Sequence, residues 1–156
     1  MSPPPIVDTL EQVRLTLMER EIEHVLSGSK ISIDYGSAEV QIEVVDSPPV
    51  PTVTVRSPAL IEVETANDED ELLVLRVLNE RNARLRFGKF YLDHERERIV
   101  VEYEMLGSHL QPEELLHGLS IVATLADDHD DLLKEQIGQG QRAADVSGRT
   151  DAVRPF

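Results

Sequence analysis

Between Asn79 and Leu106 the chain reads NERNARLRFGKFYLDHERERIVVEYEML, a helix end followed by two β-rich runs around a polar turn. A hairpin of that length ties the whole segment into one local unit and calls for an antiparallel sheet around it. Centring the turn near Glu95 places Leu85 opposite Met105, Phe87 opposite Tyr103 and Tyr91 opposite Ile99. With Val101 these form an apolar face fit for a core, and the stem of Lys89 can snorkel at its edge. On the other face Arg86 meets Glu104, an ordinary opposite-charge pair. Phe90 meets Val100 there, with Leu92 alongside, so this hairpin carries apolar side chains on both faces.

No other strand does so. The outward positions elsewhere are Ser32, Asp34, Gln41, Glu43, Glu62, Glu64, Glu102 and Glu104. An outward Phe90–Leu92–Val100 cluster therefore needs a cover, either a loop or terminal segment of the same chain or a subunit or client protein. Arg76, Arg81, Arg84, Arg86 and Lys89 add a basic streak interleaved with aromatics, which superficially resembles a stacking platform for nucleic acid. Charge matching within or between subunits is the reading preferred here. Phe90, Leu92, Val100, Arg84 and Arg86 are the candidate partner-binding residues.

The net charge decides that preference. Thirty Asp and Glu against 15 Lys and Arg give −15, which repels phosphate backbones and anionic membrane surfaces alike. No nucleic-acid and no membrane partner is expected. The absence of cysteine removes disulfides, thiolate metal sites and thiol nucleophiles together. His24, His94, His109, His117 and His129 form no metal-binding spacing, and no nucleophile elbow or phosphate-cradling glycine loop occurs. No metal, cofactor or catalytic residue is assigned, and the chain does not read as an enzyme. The N-terminus lacks the pattern of a secretory signal and no apolar run is long enough to span a bilayer, so a cytoplasmic location is expected.

Periodicity supplies the remaining elements. Leu10, Val13, Leu17 and Val25 recur at helical spacing, with Asp8 and Glu11 at capping-box distance, which predicts a helix over about 9–26 stopped by Gly28. Ile31, Ile33 and Tyr35 alternate with polar residues, turn at Gly36-Ser37, and give way to Val40, Ile42 and Val44. SPPVP at 47–51 interrupts the chain, and a β-rich stretch at 52–65 contains Pro58, a divider or an edge marker. The acidic run 67–71 opens a second helix on Leu72, Leu75 and Leu78, ending near Asn82. Pro112 opens a third on Leu115, Leu119, Val122, Ala126 and Leu133, to about Gly138. The acidic run 127–131 on it reads as a solvated face. One α+β domain over 8–138 is expected, with a Pro-rich lead-in at 1–7 and a disordered tail at 139–156. The order is helix, three strands, helix, two strands, helix, with an antiparallel sheet and helices mainly on one face.

That order, with Leu78, Asn79 and Asn82 before Phe87, Gly88, Phe90 and Asp93, resembles the central segment of YbjN-type domains. The likeness covers roughly 8–137 and carries no catalytic constellation. It implies a fold similar to that of type III secretion chaperones, which are small acidic proteins, usually homodimers, that hold extended client segments. A non-enzymatic, chaperone-like or regulatory protein-binding module follows as the expectation, homodimeric and with an unidentified client. A small-molecule-responsive sensory domain is the alternative.

Overall fold

A computed structural model of the protein describes the backbone of residues 6–152 and the side chains of residues 6–141. The elements run α1 (Ile6–Glu19), β1 (Val25–Ser27), β2 (Lys30–Tyr35), β3 (Ala38–Val45), β4 (Thr52–Leu60), α2 (Asp68–Asn82), β5 (Lys89–Asp93), β6 (Arg98–Leu106) and α3 (Pro112–Ala152). The six strands form one sheet in the order β1-β2-β3-β4-β6-β5, every neighbouring pair antiparallel. α3 lies along β3, β4 and β6, while α1 packs on β3 and α2 on β5. Ile31, Ile33, Val40, Ile42, Val53, Val55, Ile99 and Val101 fill the core with Val13, Leu17, Leu115, Val122 and Leu133. The α+β class and the grouping of strands agree with the expectation.

The first helix is shorter than its periodicity suggested. Glu21 takes φ 55, and its N–H bonds to the carbonyl of Met18 while that of Ile22 reaches Leu17. This is a Schellman ending, in which a left-handed residue turns the chain so that two orphan carbonyls are capped. The signal was hidden because the left-handed position holds Glu where Gly is usual. Val25 and Leu26 are released to make β1, a fourth strand before α2. Gly28-Ser29 then forms a two-residue hairpin loop, as Gly36-Ser37 does between β2 and β3, each with its glycine at φ +63. At its other end α1 begins at Ile6, so Asp8 lies within the first turn, not at a cap. Residues 1–5 of the expected lead-in lie outside the described residues.

Pro58 sits inside β4, a central strand, where the register with β6 shifts between Pro58 and Leu60. A proline has no N–H for the ladder, and a bulge is where a central strand can absorb one. In α2, Asn67 caps the first turn by accepting from the N–H of Asp70. Its buried face is Val74 and Leu78, whereas Leu72 and Leu75 point outward. α3 runs past Gly138 to Ala152, so the backbone of 139–152 is helical where a disordered tail was expected, and 153–156 lie outside the described residues. No proline interrupts that stretch before Pro155.

Candidate functional site

The expected outward apolar cluster does not form. The β5–β6 loop holds four residues, His94 to Glu97, so its centre falls between Glu95 and Arg96 and every pairing moves by one. Phe90 pairs with Val101, Leu92 with Ile99 and Tyr91 with Val100. A one-residue slip turns one strand over relative to the other. Phe90 and Leu92 therefore face the helices, 3% and 9% exposed, and the Phe90 ring lies 5.3 Å from that of His129 on α3. Val100 is on the open face, flanked by Tyr91 and Pro58 and only 1% exposed. Leu85 and Phe87 fall in the connection before β5, not in the strand.

What the open sheet face carries instead is matched charge. Gln41, Arg56, Glu102 and Lys89 stand directly opposite one another across β3, β4, β6 and β5. Glu102 is buried between Arg56 at 3.3 Å and Lys89 at 3.2 Å, with the Tyr91 hydroxyl donating at 3.4 Å. Arg56 also reaches Glu43 and Lys89 reaches Glu104, the residue that sequence pairing had given to Arg86. Burial alone would lower the Lys89 ammonium, but Glu102 and Glu104 raise it above its ordinary value. Burial, then Glu102, pushes the Tyr91 phenol up. Where its charges are already paired, around Glu102, the face offers little to a partner.

Arg84 and Arg86 are exposed on the α2–β5 connection and make no ion pair among the described residues. Beside them Phe87 is half exposed, edge-on to His117 at 5.4 Å and to Tyr103 at 6.2 Å. The far edge of the sheet is sealed at one point. The side-chain amide of Asn82 accepts from the Phe90 N–H at 2.8 Å and donates to its carbonyl at 3.0 Å, taking both bonds a neighbouring strand would make.

The unsatisfied surface is at the opposite end, beside α1. That helix buries Thr9, Val13, Thr16 and Leu17, and Gln12 ties it to the Leu110 carbonyl at 2.6 Å. Its contact at Gly107 is so close that a Cβ there would meet Thr9 and the Pro51 carbonyl at 2.8 Å. The opposite side of the helix is also apolar: Val7, Leu15 and Met18 are exposed. Met18, Ile22, Glu23, His24, Val25, Ser32 and Asp34 line a groove of about 560 Å³, with Met18 59% and Val25 69% exposed. A second groove runs along α1 past Asp8, Glu11, Leu15 and Glu19.

A strand edge opens into the first groove. β1 pairs with β2 only as far as Ser32, leaving Ile33, Asp34 and Tyr35 without a strand neighbour on that side among the described residues. Antiparallel alternation from the Ser27–Lys30 closure aims the N–H and C=O of Asp34 away from β3, at the vacancy. Sequence reasoning missed this site because it took Val25 into the periodicity of the first helix. The available signal was that apolar residues of 6–22 surround α1 on both sides, more than one buried stripe needs.

No group of three or more His, Asp or Glu among the described residues is placed to hold a metal ion, and no helix among them is long and apolar enough to cross a membrane. His117 and His129 have separate aromatic partners, Phe87 and Phe90. Desolvation, then the Arg81 guanidinium, holds the His129 imidazole below its ordinary value.

Over residues 8–146 the sequence matches the model of TY-Chap1, the T3SS (YopN, CesT) and YbjN peptide-binding chaperone 1. Solved structures of similar fold include a chain of the ExsC–ExsE complex (14% identity, TM-score 0.59, 80% of this chain and 95% of that one). YbjN from E. coli is similar too (17%, TM-score 0.54, 77% and 92%). So is a chain of the HopA1–SchA chaperone–effector complex (8%, TM-score 0.52, 76% and 94%). No curated protein matches by sequence.

Proposed function

The chain belongs to the T3SS (YopN, CesT) and YbjN peptide-binding chaperone family, and on that premise we propose that it is a non-enzymatic module that holds an extended segment of a client protein. The observation that supports the reading is the unpaired β2 edge at Asp34, set beside the exposed Met18 and Val25 and the half-buried Ile22. An extended peptide adding there would supply the missing backbone partner and cover apolar surface in the same act. Two of the similar structures are complexes, one of them named as chaperone with effector. Affinity capture from the native host tests it, using wild type, Met18→Glu/Val25→Glu, and Leu132→Glu on the exposed side of α3. Partners lost only in the double variant support the groove; partners kept in all three overturn it.

The functional unit we propose is a homodimer built on the outer face of α2. Leu72 and Leu75 are exposed there, in a helix whose first turn is acidic (Asp68 to Glu71) and whose last turn carries Arg81 and leads to Arg84 and Arg86. Antiparallel packing about a two-fold axis sets the acidic end of each copy against the basic end of the other, and an isologous patch must be self-complementary in this way. Arg84 and Arg86 then find their counter-charges across the interface. Light scattering on Leu75→Asp is expected to show half the wild-type mass; equal masses would discard the α2 interface.

A further inference from the structure

We propose that the segment taken up at the β2 edge alternates apolar and basic residues, its apolar side chains turned to α1 and a Lys or Arg set beside Asp34 and Glu39. The inference rests on the groove reading above and adds the chemistry of the occupant. Asp34 and Glu39 are direct cross-strand partners on the open face of β2 and β3. The Gly36-Ser37 loop makes Tyr35–Ala38 the closing hydrogen-bonded pair, so Asp34–Glu39 is a non-hydrogen-bonded pair, the kind whose side chains stand closest. Like charges directly opposite destabilise a sheet. Neither carboxylate has a basic side chain within ion-pairing distance among the described residues.

The contrast with the rest of that face is what gives the pair meaning. Glu43, Glu102 and Glu104 all reach Arg56 or Lys89, whereas neither Asp34 nor Glu39 does among the described residues. At Asp34 the strand that would supply the cation is missing. Around the groove the same holds: Glu19 and Glu23 are exposed and make no ion pair among the described residues, while the nearby Arg14 and Arg20 are occupied by Glu11 and Glu113. An added strand alternates its side chains between the two faces. Residues opposite Asp34 would meet the carboxylate pair, and their neighbours in sequence would turn toward Met18 and Ile22 on the helix side.

The test is fluorescence anisotropy with labelled ten-residue peptides alternating valine with lysine, glutamine or glutamate, against the full chain. The lysine peptide is expected to bind about tenfold more tightly than the glutamine peptide at low salt, as two partly exposed ion pairs allow. That advantage is expected to vanish near 1 M salt, where the screening length is about 3 Å. It is also expected to vanish in Asp34→Asn/Glu39→Gln, yet to survive in Glu80→Gln/Glu95→Gln, which removes equal charge elsewhere. Equal affinity for lysine and glutamine peptides overturns the charge assignment and leaves the groove standing. An advantage lost equally in both double variants overturns it too, by tracing the effect to net charge. If no alternating peptide binds, groove and charge assignment fall together.

Discussion

Glu21 sits at φ 55, a conformation that costs a side-chain-bearing residue about 1 kcal/mol and glycine almost nothing. It also places a carboxylate just past the C-terminal end of α1, where the helix dipole is negative. Glu21→Gly is therefore expected to raise stability by about 0.5–1 kcal/mol in denaturant titration, with the groove beside it unchanged. His129 makes the opposite kind of statement. Its folded pKa lies below the unfolded value, because burial and Arg81 disfavour the imidazolium. Stability from a neutral, half-buried histidine is present above the unfolded pKa of about 6.5 and drains away as pH falls below it. Thermal unfolding of wild type and His129→Gln should diverge between pH 7 and 5, the variant losing less on acidification. Asp128, the remaining charge near the ring, opposes the shift and does not cancel it.

At the scale of elements, legibility in the sequence followed the strength of local signals. The β2–β3 hairpin was readable because strict alternation of Ile31, Ile33, Val40 and Ile42 left one register that buries them all. The start of α3 was readable because Pro112 and two following glutamates suit a helix N-terminus. β1 was not: three residues cannot display a period, and the turn that frees them is signed by a glutamate. The β5–β6 register failed by one position because loop length, not strand content, fixed it. In α2 the i, i+3 leucines suggested one face, while docking on β5 and α3 buried Val74 and Leu78. The two faces can be told apart by substitution. Val74→Ala is expected to cost about 1–3 kcal/mol, and Leu72→Ala under about 0.5 kcal/mol in a monomeric background such as Leu75→Asp.

For the whole molecule, an excess of fifteen negative charges on 156 residues sets two salt dependences against each other. Self-repulsion strains the compact state, so the melting temperature should rise between 20 mM and 500 mM NaCl as the charges are screened. Capture of a basic segment at the Asp34 edge weakens over the same range. Measuring both on one preparation separates a stable fold from a competent one; a melting temperature that falls with salt would show ion pairs, not repulsion, to dominate. The groove itself was only half legible at this scale: the exposed Met18 and Val25 are visible as letters, but the vacancy between them exists only once β1 stops short of Asp34. The bond pattern at Asn82 bears on what happens after that vacancy is filled. A sheet that accepts strands at both margins is a link, and links of one kind make chains without end. By occupying the Phe90 backbone with its own amide, Asn82 blocks strand addition at that position of the outer margin, so the uptake proposed for the β2 side would not be repeated there.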